Sequence, residues 1–134
     1  MIQKDYLLRM VHVLLEAIAR LLADKTHDLT EKEKEIDAMY SMFHRDSKFF
    51  RSASDEDVLL YLADSEEDYL QRVELMAEIM YADSAIRMSD DNVKHELERK
   101  SLSLYTYVDE RSEDFSFKRD ERISQLKRCC AASS

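Results

Sequence analysis

The first twenty-three residues, MIQKDYLLRMVHVLLEAIARLLA, carry polar side chains at a regular interval and little else that is polar. Asp5, Arg9, His12, Glu16 and Arg20 are separated by four, three, four and four positions. A helix advances about 100° per residue, so these five share one narrow stripe. Most of the remaining positions are apolar, among them Ile2, Tyr6, Leu7, Leu8, Met10, Val11, Val13, Leu14, Leu15, Ile18, Leu21 and Leu22. A helix that is apolar on most of its circumference is covered on several sides. The pattern therefore predicts a central helix over residues 1–24, or one partly covered by another subunit. Within the stripe, Asp5–Arg9, His12–Glu16 and Glu16–Arg20 are i,i+4 pairs, each contributing a few tenths of a kcal/mol when exposed. The stripe is either the solvated seam of a buried helix or a contact line for a protein partner.

Downstream, Asp24 to Asp28 reads as a loop, and Thr30-Glu31-Lys32-Glu33 has the form of a capping box with Thr30 as N-cap. The helix it opens runs to about Arg45, with Ile36, Met39, Tyr40 and Phe43 on one face. Residues 46–53 show no period and are expected to be irregular. Ser54-Asp55-Glu56-Asp57 opens a short helix with Val58, Leu59 and Leu62 inward and Tyr61 as a further candidate for that face. Ser65-Glu66-Glu67-Asp68 opens a longer one, to about Met88. That helix has two apolar stripes, Tyr69/Val73/Met76/Met80 and Leu75/Ile79/Ala82/Ile86, which predict contacts on two sides. The chain then restarts at Ser89, with Met88 and Val93 as a hydrophobic staple. The next helix carries Val93, Leu97, Leu104, Tyr105 and Val108 inward and ends near Arg111. A last helix, from Phe117 to Cys130, has Ile123 and Leu126 as anchors and a basic face expected to be solvated: Lys118, Arg119, Arg122, Lys127 and Arg128.

Composition strengthens the helical reading. The chain of 134 residues has no glycine, no proline and one asparagine, Asn92. Average usage would supply roughly nine glycines and seven prolines. The tight turns of β-hairpins need glycine or asparagine at positive φ, so hairpin sheets are excluded. Without glycine there is also no Walker A loop, no dinucleotide-binding turn and no G-x-S-x-G elbow. The net charge of −9 argues against nucleic acid and anionic membranes as partners. Charged or ionisable residues interrupt the first helix about every turn, which argues against a membrane span, and its start lacks the features of a secretory signal. A cytoplasmic location is expected.

Candidate chemistry is sparse. The residues three before His12, His27, His44 and His95 are Arg9, Asp24, Ser41 and Asn92, so no Glu-x-x-His pair exists for a di-metal bundle. The zinc-protease spacing fails at His95-Glu96, where position 99 is arginine. Acidic clusters at helix starts are accounted for by the helix dipole. Cys129 and Cys130 are adjacent, imply no structural disulfide and lack a zinc site's spaced ligands. No catalytic, cofactor-binding or metal residue is assigned.

Three segments, KDYLLRMVHVLLEAIARLL, SASDEDVLLYL and SEDFSFKRDERISQLK, occur in an order that resembles a family of small all-helical bacterial proteins, a domain of unknown function. The resemblance implies a tetratricopeptide-like helical hairpin over about Tyr69 to Val108, although the turn Ser89-Asp90-Asp91-Asn92 lacks the glycine usual in such repeats. The combined expectation is one all-α domain, 1–134, of five or six helices. It comprises a central helix (1–24), short helices (30–63), a helical hairpin (65–111) and a C-terminal helix (117–130). The expected function is non-catalytic protein–protein interaction or scaffolding, with an unidentified protein partner or a second copy at Asp5, Arg9, His12, Glu16 and Arg20. The alternative is an enzyme or small-ligand binder with a site between helices, near His12, Glu16 or Tyr105.

Overall fold

The computed structural model describes residues 2–63 and 68–132, with side chains from Tyr6 onward. Among them are seven helices and no strand: α1 (Ile2–Ala23), α2 (Leu29–Ser41), α3 (Ser47–Ser52), α4 (Asp55–Leu62), α5 (Tyr69–Ala85), α6 (Asn92–Arg111) and α7 (Phe117–Ala132). The all-α expectation holds. The additional helix is α3, in the stretch expected to be irregular. The expected start of the fourth helix at Ser65 lies outside the described residues.

Side-chain caps set most of the starts. Asp28 accepts the Glu31 N–H at 2.9 Å, Asp46 the Phe49 N–H at 2.9 Å, Ser54 the Asp57 N–H at 3.1 Å and Asp91 the Val93 N–H at 2.7 Å. Each satisfies a first-turn donor that the helix cannot. Ser54 is the cap the pattern predicts. Asp28 replaces Thr30 and Asp91 replaces Ser89. Met88 and Val93, the expected staple, are both exposed. α2 ends earlier than expected, at Ser41. Just beyond it His44 adopts φ 67° and donates its N–H to the Ser41 carbonyl at 2.9 Å. With no glycine in the chain, a histidine takes the left-handed position.

α5 and α6 form the predicted antiparallel hairpin. Lys94 Nζ reaches the Ser84 carbonyl at 2.8 Å, Ser101 Oγ reaches the Ala77 carbonyl at 2.7 Å, and Tyr69 meets Tyr107 edge-on. As residue numbers rise on α6, those of their partners fall on α5. α7 packs along α6. The other sides of α5 meet α1, α2 and α4, as its two apolar stripes require. Phe50 of α3 stacks on Tyr40 of α2 and meets Tyr61 of α4 edge-on, and Tyr61 donates to the Phe43 carbonyl at 2.6 Å. This aromatic cluster holds the short helices together.

The centre is therefore α5, and the expectation of a central helix over 1–24 is corrected. α1 packs mainly on α5 and α2 and buries one seam, Leu7, Met10, Leu14, Ile18 and Leu21. Val11, Leu15 and Ala17 are partly buried beside that seam, while Tyr6, Leu8 and Val13 retain 59%, 52% and 50% of their accessible surface. Enclosure follows from the number of neighbours. The six-residue link between α5 and α6 lays a partner along the length of α5, while α1 has no equivalent on its outer side.

Candidate functional site

Two buried carboxylates on α5 organise the polar interior. Asp83 is wholly buried. It accepts the Tyr40 hydroxyl at 2.8 Å, Arg51 Nε at 2.9 Å and Arg87 at 3.1 Å, so one carboxylate ties α2, α3 and α5 together. Burial, and then the adjacent Asp83 charge, push the Tyr40 phenol well above its usual range. Glu78 accepts the Tyr105 hydroxyl and Arg122 at 2.8 Å. Arg122 lies 3.7 Å over the Tyr81 ring and holds Gln125 at 2.8 Å. Arg119, also buried, donates to Glu74 at 2.9 Å, to Asp109 at 3.1 Å and to the Asp114 carbonyl at 2.7 Å. Two of the five residues of the expected solvated basic face of α7 are thus turned inward. Arg119 and Arg122 dock α7 on the hairpin, and Lys118, Lys127 and Arg128 stay exposed.

Between α1 and this network is a cavity of about 210 Å³. Leu8, Val11 and Leu15 of α1 and Leu75 of α5 form its apolar wall, and Glu74, Glu78, Tyr105 and Arg119 its polar side. Ligand pockets for drug-sized molecules run from about 300 to 1,000 Å³. This one accepts a group of a few heavy atoms. Its buried polar atoms are already paired, since no buried side-chain nitrogen or oxygen among the described residues lacks a hydrogen-bond partner. The cavity can hold an apolar group. Glu74, Glu78, Tyr105 and Arg119 of its polar side are engaged with one another or with neighbouring residues.

A second, more open groove of about 520 Å³ runs between α1 and α2, past Val13, Ala17, Met39 and Met42. At its end His27 Nδ1 lies 2.5 Å from Asp24 Oδ2. Hydrogen bonds from the Thr26 backbone and side chain, then His27, hold the Asp24 carboxyl far below its usual range. The Asp24 hydrogen bond raises the His27 imidazole above its usual 6.5.

Arg9, His12, Glu16 and Arg20 are exposed in one line on α1, with His12 Nε2 4.0 Å from Glu16 Oε2. The Asp5 side chain lies outside the described residues. Of the three residues expected near an alternative site, Tyr105 lines the smaller cavity, and His12 and Glu16 do not. No group of three or more His, Cys, Asp or Glu among the described residues is arranged to hold a metal. Cys129 and Cys130 are half-buried and reduced. Burial, and then Glu98, raise the Cys129 thiol, which keeps it from the reactive thiolate form. Sequence reasoning missed Glu78, Asp83 and Arg119. The only signal was at Glu78, an acidic residue flanked by apolar ones in Ala77-Glu78-Ile79.

No protein-family model, curated protein or solved structure matches the chain. No described helix is long and apolar enough to cross a membrane.

Proposed function

We propose that this protein is a non-catalytic, cytoplasmic protein-interaction or scaffolding module whose contact face is the outer side of α1. One observation carries the reading: Tyr6, Leu8 and Val13 stand exposed beside the polar line Arg9, His12, Glu16 and Arg20. Apolar groups rimmed by charged ones are the surface pattern of an interaction site. The paired state of the buried carboxylates favours a structural role for them over catalysis.

The likeness of the three quoted segments, in their order, supports membership of the family of small helical bacterial proteins. The α5–α6 hairpin is compatible with a tetratricopeptide-like unit. A single such unit lacks the stacked groove that about three repeats build, which favours α1 as the contact element. A photo-crosslinking amino acid at position 13, compared with one at position 110 on α6, tests the reading in cells. Adducts at 13 and none at 110 are expected. Equal adducts, or none, overturn it.

The cavity beside Leu8 and Leu75 supports a second reading, a binder of small apolar ligands. Benzene titration followed by NMR is then expected to shift resonances of Leu75 and Val11 in the wild type and not in Leu8→Trp.

A further inference from the structure

Resting on the α1 contact face proposed above, we infer that its occupant is a second copy of this chain, with the two α1 helices antiparallel. The argument starts from charge order. In the sequence the stripe reads acidic at 5, basic at 9, acidic at 16 and basic at 20, with His12 between. Reversed, the same series reads basic, acidic, basic, acidic. A two-fold axis passing between positions 12 and 13 therefore sets 9 against 16 and 5 against 20, each twice. Both described members of the inner pair, Arg9 and Glu16, are exposed on α1.

This self-complementarity is what a two-fold interface demands, because residue i meets j and j meets i. A parallel arrangement in register faces like charges instead. The wider electrostatics point the same way. The chain carries a net charge of −9, so two copies repel over most of their surfaces. The stripe at 5, 9, 16 and 20 sums to zero, so the contact there adds no repulsion of its own. Flanking it, Tyr6 and Val13 supply apolar surface to be buried.

The contact is small. A 22-residue helix is about 33 Å long. With a contact strip about 10 Å wide it buries on the order of 300 Å² per copy, below the roughly 800 Å² per partner of a standard stable interface. The dimer is therefore weak, with a dissociation constant on the order of hundreds of micromolar.

Sedimentation equilibrium of the purified protein from about 10 µM to about 1 mM at low salt tests this, with circular dichroism to verify folding. The wild type is expected to show a monomer–dimer equilibrium. Arg9→Glu alone, or Glu16→Arg alone, replaces two attractions with two repulsions and is expected to weaken it at least about tenfold. Mixing the two single variants restores opposite charge at both contacts and is expected to produce a heterodimer. The doubly swapped R9E/E16R protein is expected to dimerise like the wild type. A wild type that stays monomeric throughout, or a dimer indifferent to both reversals, overturns the second copy as occupant. In either case position-13 adducts to a different protein would leave the broader α1 reading standing, whereas loss of those adducts would remove that reading independently.

Discussion

α1 and α5 invert the usual link between hydrophobicity and burial. α1 has the longer apolar run, yet it buries one seam and leaves Tyr6, Leu8 and Val13 in solvent. α5 carries Glu78, Asp83 and Ser84 within its most enclosed stretch. The difference is in partners. Each buried polar group of α5 meets a group brought from elsewhere in the chain or from its own helix: Tyr40, Arg51 and Arg87 at Asp83, Tyr105 and Arg122 at Glu78, and the Tyr81 carbonyl at Ser84. A polar residue can occupy a core when its hydrogen bonds are met there, and an apolar helix stays half-bare when nothing is built to cover it.

Breaking the α5 side of the comparison should have the largest effect. Asp83→Ala leaves two part-buried guanidinium groups and a buried phenol around an empty position, and is expected to cost about 3 kcal/mol in denaturant unfolding. On α1 the contrast is between two leucines. Leu14→Ala, in the buried seam, is expected to cost about 2–4 kcal/mol. Leu8→Ala, at the half-exposed rim of the cavity, should cost about 1 kcal/mol or less in dilute protein. Equal costs would mean that the chain covers both faces of α1. At the end of α2, His44→Gly relieves a left-handed residue and is expected to add up to about 1 kcal/mol of stability, read from the same transitions.

The smallest effect is at the loop after α1. The raised His27 pKa means that its stabilising contribution is complete below the usual 6.5 and is lost as pH rises through the folded value. The depressed Asp24 pKa means that its contribution is present above the usual 3.8 and is lost only as pH falls toward the folded value. The pair acts fully between those two limits. The Tm difference between wild type and His27→Gln should be largest near pH 5 and shrink toward pH 9. A difference independent of pH would remove the pair from the account.

Much of the fold was legible because it is local. The Ser54 cap, the Ile36/Met39/Tyr40/Phe43 face, the end of α6 at Arg111 and the anchors Ile123 and Leu126 can all be read from spacings within a few turns. Failures came where two local signals competed or where the deciding contact is distant in sequence. Asp28 and Thr30 are both sound caps two residues apart, and only the folded chain chooses. α3 is too short for Phe49 and Phe50 to show a period. Glu78 finds Tyr105 and Arg122 27 and 44 residues away, and Asp83 finds Tyr40 43 residues away. No local pattern announces those meetings, so α5 was not recognisable as the centre. The exposed polar stripe of α1 was legible, while the bare apolar residues beside it became visible only once the neighbours of α1 were known.

Native-state hydrogen exchange in dilute protein tests the contrast between the two helices most directly. Amides of α5 from Val73 to Ala82 should exchange only through global unfolding, with the denaturant dependence of the whole domain, and those of α1 through a smaller opening at lower free energy. Protection of α1 equal to or greater than that of α5 would contradict the assignment of α5 as the enclosed centre and of α1 as a helix packed on one side.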